Sequence, residues 1–169
     1  MSSVIYKKGI SIIELLIYVA ILAVIGVVLS GYFVAALRAQ SEHDHRDDLA
    51  NGVQNITTVL RQEAARAVQL MNPSPGATST SLLIMNVDGA VLFQLNGSML
   101  QRISGSSTVP LANTRVRVRT LWFEGNAYVE PRLGATSTSV RYHVVLEHLQ
   151  APEMLRSVDG TLLIGKDTL

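Results

Sequence analysis

Lys7-Lys8-Gly9-Ile10-Ser11-Ile12-Ile13-Glu14 sets two cations and one carboxylate at the mouth of Leu15–Leu37, a run of 23 residues without a charged side chain. As a helix rising ~1.5 Å per residue, that run is about 34 Å long. A hydrocarbon core is roughly 30 Å thick, so the run is long enough to cross it. Apolar residues cover it on every side, unlike the one-sided stripe of a soluble surface helix. A carboxylate at the entrance to such a span is costly unless it is paired, at about 2.5–3.5 kcal/mol near the bilayer centre and less towards an end. Cleavage after Gly9 would create a partner, because a new ammonium group would then stand on Ile10, four residues before Glu14.

The rest of the composition is consistent with one modest domain beside a membrane element. Of 169 residues, 48% are hydrophobic and 16% charged, and the formal net charge is +1. Removing residues 1–9 takes away Lys7 and Lys8, which leaves 12 basic against 13 acidic side chains, or −1. Neither balance is that of a nucleic-acid binder. Lys7 and Lys8 ahead of the span favour a cytoplasmic N-terminus. The absence of cysteine excludes disulfides, thiolate metal sites and cysteine nucleophiles. A conventional secretory signal fits poorly: Val34-Ala35-Ala36 offers small residues for cleavage, but the apolar run before it exceeds the usual 7–15 residues.

Beyond Leu37 the helical pattern changes character. Leu49, Val53, Ile56, Leu60, Ala64, Ala67 and Met71 recur three or four apart, the stripe of an amphipathic helix. No proline interrupts residues 10–71, so one continuous helix is expected, stopped by Asn72-Pro73-Ser74-Pro75-Gly76. Short β-branched segments follow. Ser81–Val87, Ala90–Leu95 and Ser98–Ile103 read as strands joined by hairpin turns at Asp88-Gly89 and Asn96-Gly97. A polar loop with Pro110 precedes strands at Thr114–Phe123 and Ser139–Leu149, and Thr161–Ile164 reads as a short edge strand. Gly76-Ala77-Thr78-Ser79-Thr80-Ser81 recurs as Gly134-Ala135-Thr136-Ser137-Thr138-Ser139; similar Ser/Thr-rich loops account for the repeat.

Lys7-Lys8-Gly9 followed by Ile10-Ser11-Ile12-Ile13-Glu14-Leu15-Leu16 resembles the class III leader and helix start of type IV pilins and type II secretion pseudopilins. The likeness is close from residue 7 to about 35 and looser beyond. It implies cutting between Gly9 and Ile10 by a membrane prepilin peptidase, methylation of the new Ile10 amine, and a role for Glu14 in filament entry. Ile10 stands where phenylalanine is usual in the family, and Gly31 where many major pilins carry proline. The implied fold is α+β, a long N-terminal helix packed on an antiparallel sheet. Its parts are a leader (1–9), a membrane or filament-core half-helix (10–37), an amphipathic half-helix (38–71) and a sheet domain (72–169).

The function implied is that of a structural subunit, a minor pilin or minor pseudopilin similar to the J-type component of type II secretion. The partners implied are other subunits, the peptidase and an inner-membrane assembly platform. The location implied is the inner membrane with the sheet domain periplasmic, then a filament. A competence pseudopilin for DNA uptake, or a single-span extracytoplasmic binding protein that never polymerises, are the alternatives.

Other constellations carry less. His43-Asp44-His45-Arg46-Asp47-Asp48 puts imidazole and carboxylate at i,i+4 spacing, but Arg46 lies among them, so a solvated collar is expected rather than a metal site. Arg115, Arg117 and Arg119 alternate with Val116 and Val118, which places the arginines on one strand face, available to a partner, and the valines with Trp122 on the other. Arg141 alternates with Val140, Tyr142 and Val144 in the same way. His143 and His148 have no triad arrangement around them in the sequence. No G-x-S-x-G, Walker or H-E-x-x-H motif occurs, and Asn96-Gly97-Ser98 reads as a turn before a glycosylation sequon. Neither an enzymatic role nor a cofactor is expected.

Overall fold

The computed structural model describes residues 11–129 and 136–165. Lys7, Lys8, Gly9 and Ile10 lie outside the described residues, as do Gly134 and Ala135 of the second Ser/Thr-rich repeat. The architecture is α+β, as the sequence implies. Helix α1 spans Ile12–Arg66, and β1 to β9 follow at Ala67–Asn72, Thr78–Ser79, Leu82–Asn86, Gly89–Asn96, Met99–Ser104, Ser107–Pro110, Val116–Val129, Thr136–His148 and Ala151–Ile164. The chain divides into two compact units, one through His43 and one from Asp44 onward.

In the first unit the helix begins on a recognisable cap. The Ser11 carbonyl accepts the N–H groups of Glu14 at 3.0 Å and Leu15 at 3.1 Å, and the Ser11 hydroxyl lies 3.4 Å from the Ile13 nitrogen. A serine side chain at this position satisfies one of the four N–H groups that a helix start leaves open. Every residue from Ser11 to Asp44 is exposed. Ser30 turns its hydroxyl back onto the Gly26 carbonyl at 2.7 Å, so even this polar group has an internal partner.

In the second unit the helix from Asp44 to Arg66 buries Leu49, Gly52, Ile56, Leu60, Glu63 and Ala64 against two antiparallel sheets ordered β1-β3-β4-β5-β6 and β2-β7-β8-β9. Two sheets replace the single one expected. Phe93, Leu82, Ile84 and Leu100 come from the first sheet, and Phe123, Tyr142, Val144 and Leu146 from the second. Together with the helix stripe they make one core. Gly52 is part of that seam: a Cβ there would sit 3.1 Å from Leu146 Cδ1.

Four sequence expectations are corrected. The helix ends at Arg66 rather than 71, because Ala67–Asn72 pairs with β3 as a strand; the ladder along β3 outweighs a helical period only two positions longer. The hairpin loops are Val87-Asp88 and Gly97-Ser98, each displaced by one residue from the expected turn. Ser107–Pro110 is an edge strand on β5 rather than loop, and its proline stands where an edge tolerates a missing donor. Finally, the short edge strand expected at Thr161–Ile164 is only the end of β9, an edge strand of 14 residues that runs through Asp159-Gly160. Gly160 lies opposite Tyr142 in the ladder, and the tyrosine ring occupies the space that a Cβ would need.

Candidate functional site

Glu14 sits three residues after the capping serine, the spacing of a reciprocal N-terminal box, in the turn where the helix dipole favours a negative charge. Its carboxylate has no hydrogen bond or ion pair among the described residues. From Leu15 to Leu37 the helix is long and apolar enough to cross a membrane, and it exposes Tyr32 at 76% and Val27 at 74%. Apolar surface on this scale has to be covered by lipid or by other helices. Ser11 was legible as a capping residue from Ser-x-x-Glu before an apolar run, a signal that the reading of Glu14 as an assembly residue passed over.

The three arginines in and just before β7 are divided by their partners. Arg115 Nη1 stands 3.6 Å from Asp48 Oδ2 on the helix. Arg117 Nη2 donates to Glu147 Oε1 at 2.8 Å. Arg119 has no hydrogen bond or ion pair among the described residues, and feels only the more distant charge of Glu147. A bulge follows at this point: Val118 pairs with Leu146 and Thr120 with Val145, so the ladder carries one extra residue at Arg119. The bulge also overturns the placement of Trp122. Past it, Leu121 and Phe123 are buried and Trp122 lies on the outer face, stacked on His143 at 5.5 Å with the Arg141 guanidinium 5.9 Å from its ring.

The Arg117 guanidinium holds the Glu147 carboxyl below the usual carboxylate range, chiefly through the hydrogen bond and against the opposing effect of burial. A group whose acid form is disfavoured in the folded state stabilises that state above its unfolded titration range and loses the contribution as the pH falls through its folded value. Glu147→Gln is therefore expected to flatten the fall in urea midpoint between about pH 6 and pH 3, measured by fluorescence of Trp122, the single tryptophan. An unchanged pH profile would show that Arg117 does not bias Glu147.

The acidic collar splits in the same manner. Asp48 turns to the sheets, where Oδ1 accepts from Asn113 Nδ2 at 2.8 Å and Oδ2 lies 3.4 Å from His148 Nε2. The Gln150 N–H donates to His148 Nδ1 at 3.3 Å, which leaves the Nε2 proton of the neutral ring for Asp48. The His45 ring lies 4.2 Å from that fully buried imidazole, tilted by 33°. These contacts tie the helix to strands rather than form a ligand set, and among the described residues no group of three His, Asp or Glu side chains could hold a metal ion. Asp44 and Asp47 are exposed.

Two further polar clusters escaped the sequence reading. Glu63 is buried on the helix, accepting from Arg102 Nε through Oε1 at 2.7 Å and from Asn86 Nδ2 through Oε2 at 2.6 Å. His143 donates through Nδ1 to Asp159 Oδ1 at 2.7 Å across the β8–β9 ladder. This aspartate–imidazole pair has no hydroxyl nucleophile bonded to it among the described residues. Glu63 stood off the helix stripe by charge alone, and Asp159 became visible only once the register was known.

A scan against protein-family models, a search of curated proteins and a search of solved structures each returned no match. The α+β arrangement, a long N-terminal helix whose lower end packs on antiparallel sheets, is consistent with a pilin-like fold.

Proposed function

We propose that this chain is a structural subunit, a minor pilin or pseudopilin, of a type IV pilus or type II secretion filament. It is matured by cleavage between Gly9 and Ile10, methylated on the Ile10 amine and assembled through Glu14. One observation supports the reading most: the first turn of a helix whose apolar part is exposed bears a carboxylate with no hydrogen bond or ion pair among the described residues, and Lys7-Lys8-Gly9 stands just ahead of it in the sequence. Capping and the helix dipole favour the acid modestly in any helix, whereas a filament whose neighbouring subunits each bring an N-terminal ammonium gives it a charged partner as well. Lys7 and Lys8 keep the leader cytoplasmic, where the peptidase acts, and the sheet domain then lies outside the inner membrane. The remaining partners are the neighbouring subunits and the inner-membrane platform that extracts each helix from the bilayer.

The test is the N-terminus of the membrane-extracted protein. Co-expression with a prepilin peptidase is expected to yield a chain beginning at methylated Ile10, and Gly9→Val is expected to leave the precursor mass unchanged. A mature chain beginning elsewhere, or a wild-type chain that keeps residues 1–9, would move the assignment to an anchored protein that does not polymerise.

A further inference from the structure

The two sheets differ in what they turn outward. Among the described residues the strands of the first sheet carry one charged side chain, Arg102, and it turns inward to Glu63. In β3 to β5 alternate residues are buried: Leu82 and Ile84, Val91 and Phe93, and Leu100. The residues between them point the other way, and they too are largely apolar. Leu83, Leu92 and Ile103 pair in one row across the three strands, with Met85 opposite Ala90 in the next. None of the five belongs to the core, through which the helix and the second sheet meet the first sheet on its inner side. Val87, in the adjoining hairpin loop, is 84% exposed. Gln94 and Gln101 flank the row as an uncharged pair. An antiparallel sheet with one face in water alternates apolar-in with polar-out, as the second sheet does with Glu124, Arg141 and Asp159. Strands that are apolar on both sides belong to a sheet covered on both faces.

We propose that this outer face is covered by the same face of a second copy, two sheet-bearing units pairing about a twofold axis near Leu92 on the central strand β4. Three arguments choose that occupant. An uncharged face strands no charge only when its cover is also uncharged. The outer face of the second sheet cannot supply such a cover, and neither can the solvent side of the helix, which exposes Arg61 and Arg66. Within this chain's sheet-bearing unit only the first sheet's own outer face qualifies. Secondly, interfaces select different partners through complementary charge, which this face lacks, whereas interfaces between identical subunits are the more apolar class. Thirdly, an apolar helix able to cross a membrane confines the copies to one layer and raises their local concentration. Sheets packed face to face lie about 10 Å apart with their side chains interdigitated, an arrangement that a row of leucine and isoleucine fits. The contact is isologous and closes on itself, so it makes pairs in the bilayer and no fibre. It goes beyond the filament reading and stands apart from it.

The test uses the full-length chain without assembly machinery, so fibre growth does not enter. Gln94→Cys puts the only thiol of the chain on this face, two residues from Leu92, and leaves the leucine row intact. Copies carrying two different tags are co-expressed, and their membranes are treated with a short bis-maleimide. A product joining the two tags is expected. Far less is expected from Thr161→Cys, an exposed position on the second sheet, which measures random collision. Adding Leu92→Arg sets two cations against each other at the axis and is expected to lower the mixed-tag product about ten-fold, equivalent to about 1.4 kcal/mol. Leu92 lies outside the core, so its urea midpoint, followed at Trp122, should hold. Gln101→Glu adds charge with little change of shape and is expected to lower the product as well, whether or not Leu92→Arg folds. Equal products from Gln94→Cys and Thr161→Cys, or a product indifferent to both added charges, would overturn the pairing. So would a fluorophore on Gln94→Cys that brominated lipid quenches, which would make the bilayer the cover, or a cross-link to a protein of another mass in place of the second tag. Failure of cleavage after Gly9 would sink the filament reading and leave the expected cross-link unchanged.

Discussion

Replacing Glu14 by leucine is expected to leave insertion and cleavage intact while sharply reducing entry into sheared filaments. Opposite unit charges at about 4 Å attract by about 4 kcal/mol at an effective dielectric near 20, before the cost of stripping their water. If about 2 kcal/mol survives desolvation, incorporation falls roughly 30-fold. The structure adds a second reason for an acid at this position, the helix start capped by Ser11, and the two reasons predict different patterns. A capping contribution is typically about 1 kcal/mol, so Ser11→Ala should cost incorporation only a few-fold at most. Glu14→Gln keeps the shape and hydrogen-bonding atoms but not the charge, so on the ion-pair account it should behave like leucine. Equal filament yields from wild type and both Glu14 variants, by immunoblot of sheared fibres, would remove the charge from the mechanism.

Glu63→Leu is expected to be the most damaging single change in the sheet-bearing unit that leaves the apolar core intact. Glu63 joins the helix to two strands of one sheet, Asn86 at the end of β3 and Arg102 on β5. Removing one member of a buried ion pair typically costs about 3–5 kcal/mol, because the other charge is left without its partner. Arg102 keeps a quarter of its side chain in contact with water, which places the expectation near the lower end, about 3 kcal/mol. Urea unfolding of the full chain in detergent, followed at Trp122, would read this directly. Removing both charges in Glu63→Leu with Arg102→Leu is expected to recover part of the loss, since an apolar pair leaves no stranded ion. A single-variant loss below about 1 kcal/mol, the scale of an exposed pair, would mean that the bridge is ornamental.

The span, the cap and the division into helix then strands were all written locally. Leu15–Leu37 needs only its own composition to be read, because a membrane judges every side of a helix alike. Leu49, Ile56, Leu60 and Ala64 declared a buried face through spacing, and that face is the one packed. The strand cores at Leu82–Asn86, Gly89–Asn96 and Met99–Ser104 were equally visible, although each turn was placed one residue away. Such slips are natural where several residues in a row suit a tight loop and pairing across the ladder makes the final choice.

Where chain-distant partners decide, local pattern failed. Ala67 and Met71 continued the helical period, yet β3 claimed that segment as a strand. Val116, Val118 and Trp122 alternate flawlessly in sequence, but one extra residue at Arg119 reverses the faces beyond it, because side chains in a strand switch sides at every step. The partners of Glu63, Asp48 and His143 lie 39, 65 and 16 residues away, beyond the reach of any periodic rule.

The order of polarity along the chain thus determined by itself that an apolar helix begins behind a serine cap, carries an acid in its first turn and ends in an amphipathic stretch leading to strands. Each of those properties depends on near neighbours and on the solvent that the side chains prefer. Which arginine is left over, which face bears the tryptophan and which acids are spent inside the molecule were settled only when the strands took their register. Register depends on packing over the entire core, and a single bulge is enough to change it.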